Sequence, residues 1–163
     1  MAIGSIRRGR PDEALAVADV LLGSRQAAPG IPAGVHSDDE VREWVAEVVL
    51  PEREVWVVAD GSQMMAVMVL HGTWVDQLYV MPAHQREGHG SALLQLAKDA
   101  RQELRLWTFV ANTRARAFYE KHGFRADEPA SSDNEEGAPA LLYRWLRPRP
   151  NTPGIQARST EDG

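Results

Sequence analysis

The strongest chemical signal in this 163-residue chain is the run Gln85, Arg86, Glu87, Gly88, His89, Gly90 and Ser91. A strand pattern stops at Pro82 just before it, and a helical pattern starts at Gly90. Glycines let the backbone turn sharply and leave its amides uncovered. A helix N-terminus adds unpaired N–H groups and a partial positive charge. Together these make an anion cradle suited to a phosphate or pyrophosphate. By itself the glycine pattern fits a plain turn as well as a phosphate site. Two better-known phosphate motifs fail on residues. A dinucleotide fingerprint needs a third glycine where Leu93 stands, and a P-loop needs a Gly-Lys-Ser/Thr run that is missing. The chain has no Cys. That excludes disulfides, thiolate zinc sites, iron–sulfur clusters and a cysteine nucleophile.

The elements that must hold this loop can be read from periodicity and punctuation. Residues 5–8 make a short strand. Pro11, Asp12 and Glu13 start a helix whose apolar positions are Ala14, Leu15, Ala18, Leu21 and Leu22, with Gly23 as its stop. Residues 24–36 read as a Pro/Gly loop. Ser37 and Glu40 form a capping box, opening a helix with Val41, Trp44, Val45 and Val48 on one face and Pro51 as its end. Strands follow at 54–59, 63–71 and 74–81, joined by Asp60-Gly61 and Gly72-Thr73 turns. A helix at 90–102 leads to a strand at 104–111, expected to run parallel to the one before it. Then come a helix at 113–122, a strand at 124–127, an acidic loop at 127–139 and a last strand at 140–146. Residues 1–146 thus predict a single domain. Its order is β-α-α-β-β-β-α-β-α-β-β: an α/β (α+β) fold with a mixed, mostly antiparallel sheet of about seven strands and helices on both faces. Residues 147–163 read as a flexible tail.

Composition narrows the partners. With 18 Lys and Arg against 23 Asp and Glu, the formal charge is −5, so a nucleic-acid partner is not expected. No window is long and apolar enough for a membrane span. Met1 to Arg10 lacks the apolar stretch of a signal peptide, so the expected location is cytoplasmic.

Downstream of the glycine loop lie Asn112, Ala115, Phe118, Tyr119, Glu120, Lys121, Gly123 and Phe124. A Q-x-x-G-x-G element followed at this distance by N-x6-Y-x3-G-F, from Gln77 to about Arg125, resembles the GCN5-related N-acetyltransferase (GNAT) family. The resemblance implies an acyl-CoA-dependent N-acetyltransferase with acetyl-CoA as cosubstrate and no metal. The strand at Leu78, Tyr79 and Val80 would splay from the strand at 106–110 and pair its backbone with the pantetheine arm. Amides of Arg86, Glu87, Gly88, His89, Gly90 and Ser91 would hold the pyrophosphate, with Gln85 leading into the loop. The Leu78 amide would face the thioester oxygen, and Asn112 would contact the pantetheine arm or cap its helix. Tyr119 would protonate the leaving thiolate. From its residues alone, Phe118-Tyr119 reads first as an aromatic pair in the core.

The implied reaction is direct attack by a primary amine in a ternary complex. Asp76 is the first candidate base, on the reading that it shares a strand face with Leu78; His71 and His36 are weaker. In some relatives a Glu base lies twelve residues before the Tyr, where this chain has Trp107. The acceptor mouth would be formed by residues 24–36, Trp44, Trp56 and the loop carrying Asp127, Glu128, Asp133, Glu135 and Glu136. The acceptor amine is left open among a small molecule, a peptide N-terminus and a Lys side chain. A homodimer is the assembly to test. The rival reading is a non-catalytic acyl-CoA-binding sensor of the same fold.

Overall fold

The computed structural model of the chain describes residues 4–149. Seven strands occur in it: β1 (Ser5–Arg8), β2 (Glu54–Asp60), β3 (Gln63–His71), β4 (Trp74–Val80), β5 (Glu103–Phe109), β6 (Arg125–Ala126) and β7 (Ala140–Leu146). The helices are α1 (Ala14–Ala27), α2 (Asp38–Trp44), α3 (Leu50–Glu52), α4 (His89–Asp99) and α5 (Thr113–Lys121). The strands form one sheet in the order β1-β2-β3-β4-β5-β7-β6. Every neighbouring pair is antiparallel except β4 and β5, which run parallel. The mixed, mostly antiparallel sheet expected from the sequence is therefore present.

β3 is covered on both sides, so Met64 to Leu70 is a continuous apolar run rather than an alternating one. On one face Leu93, Leu94 and Ala97 of α4 and Tyr119 of α5 pack on Met68, Leu70, Leu104, Leu106 and Tyr143. On the other, Val17, Ala18, Val20 and Leu21 of α1 pack with Val45 and Val49 on Val55, Val57, Val67 and Val69.

Three local expectations are revised. Gly23 does not stop α1, which runs on to Ala27. The buried stripe is Val17, Ala18, Val20, Leu21 and Ser24, while Leu15 is largely exposed. A short-range stop signal yields here to burial of the last turn against β4. Pro51 does not end the second helix either. A π-helical turn at Val45–Val49 precedes it, with the Leu50 N–H bonded to Val45 O five residues back. Proline lacks an N–H for the carbonyl four residues back and its ring crowds that group; the wider turn takes up the mismatch. The third revision concerns the end of the domain. Arg147, assigned by sequence to the tail, donates its N–H to Gln102 O at 2.8 Å and its guanidinium to Arg101 O at 2.9 Å. The tail from 150 onward lies outside the described residues. Among the described residues no helix is long and apolar enough to cross a membrane.

Candidate functional site

The site begins where two strands part. β4 and β5 are paired only at Trp74 and Arg105, where the Arg105 N–H bonds Thr73 O at 2.9 Å. Beyond that point β4 stays with β3, and β5 pairs along its length with β7. In an antiparallel ladder the backbone groups turn alternately toward and away from the partner. Met81 donates its N–H to Met65 O on β3 at 2.8 Å. By that alternation Tyr79 and Gln77 also face β3, while Leu78 and Val80 turn their N–H and C=O toward the gap. Val80 O is taken by Ser24 Oγ at 3.0 Å and Gln85 Nε2 at 3.4 Å. Leu78 has no strand beside it on that edge.

The pleat of β4 is interrupted one turn earlier. Val69 faces Gln77 and Leu70 faces Val75, which leaves Asp76 as an extra residue in a bulge. One extra residue shifts the alternation, so Val75, Leu78 and Val80 pack on the same core. Asp76 therefore does not share the face of Leu78, as the simple two-residue period implied. Its carboxylate lies 3.5 Å from Arg53 Nε. Partial burial raises its pKa, an effect that Arg53 opposes. Asp76 is not among the residues lining the cavity described next.

That cavity, of about 630 Å³, opens along the free end of β4, between the end of α1, the loop before α4, and α5. Its walls include Leu78, Tyr79, Val80, Gln85, Arg86, Gly88, His89, Gly90, Ser91, Asn112 and Tyr119. Of the residues expected to hold the cofactor, only Glu87 is missing from the lining; it is exposed and hydrogen-bonded to His84 Nδ1 at 2.9 Å. Arg86 and Gly88 both take positive φ, 67° and 87°, which folds the loop back on α4. Gly88 is the N-cap of α4 and offers no side-chain cap. The first helical bond runs from the Ala92 N–H to Gly88 O, so the amides of His89, Gly90 and Ser91 point into the cavity mouth unclaimed by the helix. A Cβ on Gly90 would sit 3.4 Å from the Phe118 ring and 3.6 Å from Val80. Any longer side chain would fill the gap. Asn112 Oδ1 accepts the Ala115 N–H at 3.2 Å; it caps α5 and lines the cavity at once. Gln85 accepts from Arg114 at 3.4 Å and donates to Val80 O, bracing the loop on the strand.

Tyr119 reaches the cavity from α5, its ring edge-on to Phe118 at 5.2 Å and to Phe124 at 5.5 Å. It is both core and site. Its hydroxyl takes no hydrogen bond among the described residues, and burial pushes its pKa well above the ordinary phenol value, with charge on Tyr79 adding to the shift. Tyr79 enters from the opposite face of β4. Burial raises its pKa, while Arg25 and Glu136 pull it in opposite directions.

Glu136 was expected at the acceptor mouth, but its pairing with Arg25 was not. Arg25, at the end of α1, pairs with Glu136 at 3.6 Å, and the Glu136 side chain is only 15% exposed. Glu136 also lines a second, smaller cavity of about 340 Å³ with Trp107, Thr108, Phe109, Asp133 and Asn134. Within the acidic loop, Asp133 and Glu136 reach this cavity, whereas Glu135 bonds His36 Nε2 at 3.1 Å. His36 is held above its ordinary pKa by Glu135 and ties the loop after α1 to the acidic loop. His71 is exposed at the far end of β3. Neither histidine lines either of these two cavities, and neither does Trp44 or Trp56; the Trp56 indole donates to Glu54 at 2.6 Å.

Comparison with known proteins gives a consistent picture. Residues 51–126 match the acetyltransferase (GNAT) domain family. A peptidyl-lysine N-acetyltransferase of Salmonella typhimurium is 28% identical over 88% of this chain and 98% of its own. The solution structure of apo YjaB from Escherichia coli superposes with a TM-score of 0.72 at 28% identity, covering 91% of this chain and all of that one (100%). A putative acetyltransferase from Salmonella typhimurium, solved with acetyl-CoA as its cofactor, shares the fold with a TM-score of 0.68 at 16% identity, over 93% of this chain and 98% of that one.

Proposed function

Because the chain belongs to the acetyltransferase (GNAT) family, we propose that it moves an acetyl group from acetyl-CoA to a primary amine by direct attack in a ternary complex. The observation that carries this reading is the parting of β4 from β5 beside a helix N-terminus whose amides are free. An extended amide-bearing arm needs a strand edge, and a pyrophosphate needs clustered N–H donors. The two lie end to end in one cavity. Bound there, acetyl-CoA would supply an activated acyl thioester.

The chain's own groups then have distinct tasks. Leu78 and Val80 offer outward backbone to the pantetheine amides. The Leu78 N–H stabilises the thioester oxygen as negative charge builds on it. Arg86, Gly88, His89, Gly90 and Ser91 hold the phosphates through their amides. Tyr119, kept protonated by burial, gives its proton to the departing sulfur. The same apolar surroundings penalise a thiolate, which narrows the gap between the two groups. With no Cys in the chain, no acyl-cysteine precedes the attack.

The amine enters from the smaller cavity, where Asp133 and Glu136 supply negative charge and Trp107 an exposed ring. A long aliphatic arm ending in an ammonium suits such a mouth. The likeness to a peptidyl-lysine N-acetyltransferase of Salmonella supports a peptide lysine as the first acceptor to try.

The full chain would be incubated with acetyl-CoA and a panel of lysyl peptides, peptide N-termini and small amines. Free thiol and the mass gain of one acetyl group on the acceptor would be followed together. Turnover on lysyl peptides is expected. Stabilisation by CoA without thiol release on any acceptor would overturn the catalytic reading in favour of an acyl-CoA-binding sensor.

A further inference from the structure

Beside the phosphate loop, three side chains outside the acyl-transfer scheme converge. His84 ends the 3-10 turn at Pro82–His84, Glu87 follows it in the loop, and His89 opens α4. One donor atom from each lies within 4.8 Å of the other two. His84 Nδ1 is 2.9 Å and His89 Nε2 3.4 Å from the same oxygen, Glu87 Oε1. Donors about 2.0–2.2 Å from a tetrahedral ion stand ~3.3 Å apart, so these separations need little adjustment to hold one. His89 is the independent indication. The residue is 8% exposed, and its Nε2 is buried without a hydrogen-bond partner, yet it is aimed at the other two donors. A buried ring nitrogen left unsatisfied is costly, and a metal would use its lone pair.

We propose that His84, Glu87 and His89 form a binding site for one divalent transition metal of the zinc class. Two imidazoles and one carboxylate favour such an ion over magnesium or calcium, which take oxygen ligands. The Gln63 amide meets the other nitrogen of His84, Nε2, at 3.1 Å. The atom in contact is Gln63 Nε2, which donates to that nitrogen; turning the amide over, so that its carbonyl accepts from Nε2, would leave Nδ1 unprotonated for the metal, the usual role of an outer partner on a ligating histidine. The ion would tie the 3-10 turn to the first residue of α4, and so brace the loop that carries Arg86 and Gly88. Three protein ligands leave a fourth position open to water. This site goes beyond the acyl-transfer reading and does not depend on it.

The test uses the full chain without a polyhistidine tag, titrated with Zn²⁺ against a chromophoric chelator and with Co²⁺ by visible absorption. One ion per chain is expected, with the intense bands of four-coordinate cobalt and a rise in Tm on adding Zn²⁺. His84→Gln and Glu87→Gln, both on partly or fully exposed side chains, should each weaken Zn²⁺ binding by at least about 10-fold to 100-fold. His36→Gln, which removes another histidine flanked by carboxylates, should leave binding unchanged. Equal affinity in the wild type and His84→Gln, or no cobalt spectrum in the wild type, would overturn the site.

Discussion

Tyr119 carries two properties that usually exclude one another: it belongs to the core and it lines the cavity. Burial holds its hydroxyl protonated through the neutral and mildly alkaline range, which suits a donor and not a base. Tyr119→Phe keeps the packing and removes the proton. It should lower kcat by about 10²-fold or more while CoA affinity, read by calorimetry, stays nearly constant. An unchanged kcat would remove Tyr119 from the acid role. Glu136 can be tested separately. Glu136→Gln removes the charge from the acceptor mouth and leaves Arg25 unpaired. Loss of one charge-assisted contact to an ammonium should raise KM for a lysyl peptide roughly 10-fold, with KM for acetyl-CoA unaffected. A change confined to acetyl-CoA would contradict the placement of the acceptor.

At the scale of elements, the cavity exists because β4 and β5 serve different partners. α4 joins them and presents its amides at the opening. Gly90→Ala has room, since its Cβ would meet Phe118 and Val80 at ordinary contact distances of 3.4 and 3.6 Å. Gly90→Leu would extend into the gap. It should weaken CoA binding by at least about 10-fold, because the amides can no longer approach the phosphates closely, while Gly90→Ala binds nearly as the wild type does. Equal binding by Gly90→Leu would show that the phosphates lie elsewhere. The loop after α1 is part of the same construction. A Cβ on Gly30, which has φ +81°, would fall 2.1 Å from Ala111 O, so the loop passes close against the end of β5 and forms one rim of the cavity.

The whole molecule is a sheet clad on both faces, with its outer edge secured by charge. On β1, Arg7 grips Glu13 through two bonds of 2.8 and 2.7 Å. This contact, aided by the Arg10 N–H, lowers the Glu13 pKa to about 2. The folded-state value lies below that of the unfolded chain, ordinarily near 4.3, so the stabilisation is present above that pH and is lost as the pH falls toward 2. Arg7 is partly solvated, so ~1 kcal/mol is a reasonable size for the pair. Glu13→Gln should therefore lower Tm at pH 7 by about 2–4 °C, and the difference from wild type should shrink between about pH 4.3 and pH 2. A difference independent of pH would mean that the contact acts through packing and not through charge.

Much of this protein was determined by its sequence alone, wherever a signal acts over a few residues. Ser37 and Glu40 close their capping box with bonds of 3.1 and 3.0 Å, the turns after Asp60 and His71 form where the glycines stand, and Gly88 opens α4 beside the phosphate loop. The strand order, the bulge at Asp76 and the passage of α1 through Gly23 were decided by tertiary structure, because each depends on what packs across the sheet. The same holds for the site. The residues proposed as the cradle line one cavity, and could be grouped from the sequence because they are consecutive and locally folded. Arg25 with Glu136, and Tyr79 with Tyr119, could not, because residues far apart in the chain meet only where β4 and β5 separate. Asp76 shows the converse: two residues from Leu78 in sequence, it was moved off that face by one unpaired residue in the ladder with β3.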